Sequence, residues 1–181
     1  MIMVIETLLA AAVFAALAVM AAAAKPENIT KLEKFCRNNL AGVLLSLPCT
    51  LLCVPLAVPV SPGFLINWLY PLAVVLPIVS YFYLDHYAAR GVAFLLILFS
   101  YDAVHAAFDI HLPGAAAVTV IMLIAGIAGI WIAAKPCTLR DIFRKCAVST
   151  VWKYCAAGAG ALWSLAALYL LIMIIIGVYV K

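Results

Sequence analysis

Apolar residues run along this chain in six long stretches separated by short polar connections. The stretches are approximately Ile2–Ala24, Leu40–Val60, Phe64–Leu84, Gly91–Leu112, Ala115–Ala134 and Tyr154–Val180. Each reaches the roughly 20 residues that a helix needs to cross a hydrocarbon core of about 30 Å. Lipid offers no partner to a backbone N–H or C=O, so segments of this kind are predicted to be helices that close their hydrogen bonds internally. Pro48, Pro55 and Pro59 in the second stretch, with Pro71 and Pro77 in the third, remove ladder bonds and are expected to kink both helices. Two readings of them stand side by side. Either neighbouring helices re-satisfy the freed groups, or the breaks build a binding site of the transporter kind.

Composition agrees with the pattern. Of 181 residues, 70% are hydrophobic and 10% charged, where an ordinary soluble domain is about half apolar and a quarter charged. A soluble globule of this size could not hide so much apolar surface, and the chain is too apolar and too weakly charged to be disordered. The fold class expected is all-α integral membrane: a six-transmembrane-helix bundle forming one domain over residues 1–181. The first stretch is read as a retained span rather than a signal peptide, because no Lys or Arg precedes it, Glu6 stands there instead, and its apolar run is long.

Charge then sets the topology. Eleven Lys and Arg against seven Asp and Glu give +4, a balance that in a soluble protein would raise the question of nucleic acid. Here the cations cluster beside apolar runs, which excludes nucleic acid and points to anionic headgroups. Lys25, Lys31, Lys34 and Arg37 occupy the first connection, Arg90 the third, and Lys135, Arg140, Arg144, Lys145 and Lys153 the fifth, leaving Lys181 alone on the other side. The positive-inside rule places the odd-numbered connections in the cytoplasm and both termini outside it, in a plasma or inner membrane. The fourth stretch carries Asp102, His105, Asp109 and His111 and would fail on hydropathy alone. It must nevertheless cross, because the two basic connections share a side only if an even number of crossings separates them. Trp68 and Tyr70, Tyr81, Phe82, Tyr83 and Tyr87, and Trp131 and Trp152 fall where an aromatic belt is expected.

The two long basic connections echo each other. Both begin Ala-Ala-Lys-Pro, at Lys25-Pro26 and Lys135-Pro136, and both place a cysteine eleven positions after the lysine, at Cys36 and Cys146. Thr30 with Glu33 and Thr138 with Asp141 have the spacing of a capping box. Ile29, Leu32 and Phe35 in one, and Leu139, Ile142, Phe143 and Cys146 in the other, recur at helical spacing. Both connections, over about 27–37 and 137–148, are therefore predicted to be short cytoplasmic interfacial amphipathic helices. Lys25, Lys31, Lys34, Arg37, Lys135, Arg140, Arg144 and Lys145 would reach lipid headgroups. The echo fits either a duplicated two-span unit or convergent juxtamembrane chemistry.

The chemistry-bearing feature is the stripe Asp102-x-x-His105-x-x-x-Asp109, whose members fall on one helical face. Counted from Arg90, Asp102 lies about 18 Å into the span, near mid-membrane, where an ionised side chain costs about 3 kcal/mol even on lenient scales. It should face the bundle or a wet cavity. Three functional readings follow: a proton or cation path through Asp102, His105 and Asp109; a metal site with His105, Asp102, Cys49 and Cys53 as candidate ligands, though no closed metal motif exists; and acid–base chemistry on a lipid. Against these stands a packing role in which Asp102 simply pairs with His105. The six cysteines show no disulfide framework and read as small packing residues.

The runs Gly126-x-x-Gly129 and Ala156–Ala161 permit close helix approach, within the bundle or to a homo- or hetero-oligomeric partner. The function expected is transport or conduction of a small solute, ion or proton. The alternatives are a non-catalytic accessory subunit and, further off, a lipid-modifying enzyme. The sequence leaves the cofactor unknown.

Overall fold

The computed structural model describes residues 2–179, with side chains described over 4–176; Val180 and Lys181 lie outside the described residues. Eight α-helices follow in order: α1 (Ile2–Ala22), α2 (Ile29–Cys36), α3 (Asn39–Ala57), α4 (Gly63–Tyr83), α5 (Tyr87–Asp109), α6 (Ala115–Ala134), α7 (Cys137–Val148) and α8 (Thr150–Tyr179). A short 3-10 turn, Val58–Val60, extends α3. No strand occurs among the described residues. Six of the helices are long and apolar enough to cross a membrane, and they match the six stretches read from the sequence.

Helix α5 is the axis of the bundle. It packs along α6 on one side and α3 on another, and also touches α1, α2 and α8. Helices α1 and α8 form an antiparallel pair laid against it, while α4 is attached chiefly through α3. Phe14 of α1 sits at the centre, edge-on to Phe99 of α5 with ring centroids 6.4 Å apart and tilted against Trp163 of α8 at 5.8 Å. The small-residue runs are used inside the bundle. A side chain at Gly129 would stand 2.9 Å from the Ala93 carbonyl oxygen of α5, and one at Gly160 would meet the Ala18 backbone of α1 at 3.0 Å. Small residues at these positions let the helix backbones approach closely.

One of the prolines, Pro77, is answered by a neighbouring helix. Pro77 has no N–H to give the carbonyl four residues back, and the Thr50 hydroxyl of α3 reaches that Ala73 oxygen at 2.7 Å. The last turn of α4 is met in the same way, because Asn39 Nδ2 donates to the Tyr81 carbonyl at 3.1 Å. Tyr87, expected in an aromatic belt, is instead buried at 4% exposure. Its hydroxyl donates to the Pro77 carbonyl at 3.2 Å and lies 2.5 Å from Ser46 Oγ.

Helices α2 and α7 meet at one end of the bundle, as four intervening long helices require. Leu139, Phe143 and Cys146 of α7 and Cys36 of α2 are buried, and Ile29, Leu32 and Phe35 pack against the same core. The expected capping boxes do not form. Each helix begins one residue before its threonine, with Asn28 and Pro136 in the cap positions and no side-chain cap bond. Thr30 and Thr138 are therefore helical residues and cannot cap; before α7, Pro136 holds the cap position with its backbone already helical, at φ -62° and ψ -22°. The acids turn outward instead: Glu33 pairs with Arg144 across the two helices, and Asp141 with Arg140 at 3.3 Å. A duplication would also make α3 and α6 neighbours in the way α1 and α8 are, and those two scarcely touch.

Candidate functional site

Helix α5 begins at Tyr87, four residues earlier than the sequence pattern suggests, and ends at Asp109 rather than Leu112. The early end has a local cause. Leu112 precedes Pro113, a position that disfavours helical backbone, and His111 turns through a left-handed conformation at φ 49°. The shift relocates Asp102. It stands fifteen residues after Tyr87 and seven before Asp109, about 22 Å and 10 Å along the helix. Asp102 is therefore not at mid-length but toward the end opposite α2 and α7.

There the stripe lines an open-sided cleft of about 240 Å³, floored by α5 and walled by Glu6 and Thr7 of α1 and Leu56 of α3. Asp102, His105 and Asp109 all border it, together with Tyr101. Asp102 is half-buried, and its Oδ2 is buried without a hydrogen-bond partner. His105 and Asp109 are exposed to the cleft mouth. Three carboxylates thus face one small space with one imidazole. Carboxylates so placed repel one another unless a cation or proton lies among them.

The imidazole does not pair with Asp102. His105 Nδ1 lies 3.0 Å from the Tyr101 carbonyl, and its ring stacks on the Tyr101 ring with centroids 4.0 Å apart. A carbonyl oxygen only accepts, so this contact holds the proton on Nδ1 and leaves Nε2 as the basic nitrogen. A packing role resting on an Asp102–His105 bond is not what the side chains do. Glu6 was absent from the sequence-derived stripe. A carboxylate four residues into an otherwise apolar helix was the available signal, since such a residue seldom faces lipid.

The metal candidates do not converge. Among the described residues no group of three or more His, Cys, Asp or Glu side chains stands close enough to hold a metal ion. Cys49 is buried and Cys53 half-buried on α3, and all six cysteines are free thiols. Burial pushes the Cys36 thiol up to about 11 and moves Cys146 in the same direction, so these two at the α2–α7 end are poor nucleophiles. On that side of Asp102, Leu95, Leu96 and Phe99 of α5 are buried in apolar packing. A second cavity of about 270 Å³ lies there, lined by Leu17, Leu96, Phe143, Trp152 and Trp163 among others. It is almost wholly apolar, with the Cys155 thiol as the one ionisable group on its lining.

The fold and cleft therefore define a class no narrower than a helical bundle with six membrane-length helices and one acidic cleft. No family model, no curated protein and no solved structure matches the chain.

Proposed function

We propose that the chain is a multi-pass membrane protein that moves a proton or small cation through the cleft of Glu6, Asp102, His105 and Asp109. The observation that carries this is the meeting of Glu6 from α1 with the α5 stripe at one open-sided cavity, an arrangement that concentrates cations and offers a basic nitrogen at its mouth. The apolar packing of Leu95, Leu96 and Phe99 makes this one access state, open away from α2 and α7. Basic residues gather at the α2–α7 end, so positive-inside logic makes that end cytoplasmic, puts both termini outside, and turns the cleft outward. There α2 and α7 lie at the interface. Lys31, Lys34, Arg140, Arg144 and Lys145 meet anionic headgroups, while the apolar faces of the two helices pack on the bundle.

The test is proton or cation uptake into vesicles reconstituted with the purified protein, read with a pH-sensitive dye under an imposed potential. Wild type should flux, and Asp102→Asn should lose at least about tenfold, the scale of one charged contact, with helical content unchanged. Wild-type vesicles as tight as empty ones would overturn the transport reading and leave the accessory-subunit role standing.

A further inference from the structure

A second polar site lies in the half of the bundle nearer α2 and α7. Helices α4 and α5 both pack on α3 but scarcely touch each other, which leaves a groove between them. In it is a cavity of about 190 Å³ bordered by Ser46 and Thr50 of α3, Pro77 and Ser80 of α4, and Tyr87 and Arg90 of α5. Arg90 is half-buried, and its Nε is fully buried without a hydrogen-bond partner. Among the described residues no carboxylate pairs with it, since the ion pairs are Arg140–Asp141 and Arg144–Glu33. A buried guanidinium N–H with neither counterion nor acceptor is costly.

The neighbouring hydroxyls narrow what would satisfy it. Thr50 spends its proton on the Ala73 or Leu47 carbonyl, and Tyr87 donates to Pro77. The Ser80 hydroxyl makes no hydrogen bond and borders the same cavity. The groups left free to donate are the Arg90 fork and the Ser80 hydroxyl, the latter able to accept as well. Their match is a tetrahedral oxyanion, which the planar guanidinium binds through two parallel bonds. The cavity is smaller than the roughly 300 Å³ at which drug-sized sites begin, and it opens sideways beside the apolar side chains of Leu76 and Phe94. Arg90 is the fourth residue of α5, about 5 Å along the helix, at headgroup depth if α5 spans.

We propose that this groove binds a phosphate oxyanion, with Arg90 as the bidentate donor and Ser80 as the second. The source is either a phospholipid headgroup whose chains lie along Leu76 and Phe94, or a free phosphate. The site is separate from the acidic cleft and does not rest on the transport reading.

The experiment uses the full chain in detergent, stripped of lipid. Thermal stability is followed as phosphatidylglycerol micelles, phosphatidylcholine micelles, inorganic phosphate, or sodium chloride at matched ionic strength are added. Stabilisation by either phospholipid at micromolar lipid but not by inorganic phosphate assigns a headgroup. Stabilisation by inorganic phosphate but not by chloride assigns a free anion. Both results support the site. In Arg90→Gln the half-saturating concentration should rise about tenfold, in Ser80→Ala by less, and Arg90→Lys should recover only part because it loses the fork. Equal responses in wild type, Arg90→Gln and Ser80→Ala, or a response to chloride as large as to phosphate, would overturn the proposal. Ser80→Ala keeps the test open should Arg90→Gln fail to fold.

Discussion

Helices α4 and α5 are equally hydrophobic and lead opposite lives. Both have a mean hydropathy of 1.7, yet 11% of the membrane-length window of α4 is buried in the protein against 61% for α5. The difference lies in residue size and shape rather than apolarity. Helix α5 carries Ala88, Ala89, Gly91, Ala93, Ala103, Ala106 and Ala107 on buried positions, so α3 and α6 can approach its backbone. Helix α4 presents Leu72, Val75, Leu76, Ile78, Val79 and Phe82 outward and is fastened to α3 by polar bonds at the Ala73 and Tyr81 carbonyls. Hydropathy measures what a helix loses in water. Between two helices of equal hydropathy, the fit of small residues decides which becomes the axis. The same logic seats the acidic stripe: the helix with protein on most sides is the one that can carry Asp102.

The sharpest way to break this contrast is one change made on both helices. Phe99→Ala on α5, at 2% exposure, should cost about 4 kcal/mol through the cavity it leaves. Phe82→Ala on α4, at 74% exposure, should cost less than about 1 kcal/mol. Unfolding in mixed micelles under increasing denaturing detergent measures both, and equal costs would mean that packing does not separate the two helices.

A smaller effect probes how α4 is held. Thr50→Val removes the donor that serves the Ala73 carbonyl and should cost about 1 kcal/mol. In a Pro77→Ala background residue 77 regains an N–H for that carbonyl, so Thr50→Val should cost distinctly less there. A double-mutant cycle by the same unfolding assay reads the coupling, and additive costs would remove the polar fastening from the account.

The smallest effect lies at the α2–α7 end. The Arg144 guanidinium bonded to Glu33 holds its carboxyl below the ordinary value of 4.5. Folding therefore releases protons in that window, so the stabilisation is present above about pH 4.5 and is lost as pH falls through the lower folded value. Melting of wild type against Glu33→Gln should differ slightly at pH 6 and converge near pH 3. A difference that grew on acidification would reverse the sign and exclude the pair as its cause.

Much of this was legible along the chain. Six runs of sufficient length could only be helices, and the parity of basic connections demanded that the most polar run be one of them. The Asp102-His105-Asp109 face followed from helical spacing alone. Other features were written locally and misread: Thr30 and Thr138 had the spacing of caps, but both helices had already begun one residue upstream of them, at Ile29 and Cys137. The true side-chain cap is Asn38, whose oxygen accepts from the Leu40 and Ala41 N–H groups of α3 at 3.0 and 3.3 Å.

Periodicity and charge thus determined how many helices form, roughly where they stop, and which connections share an end, because each depends on neighbours a few positions away or on a count along the chain. Which helix stands at the centre, that Glu6 joins the α5 acids, and that Arg90 is left without an acceptor were decided only by tertiary structure. Those facts depend on which surfaces meet across gaps of a hundred residues, and surface fit in an apolar solvent leaves almost no trace in a one-dimensional pattern.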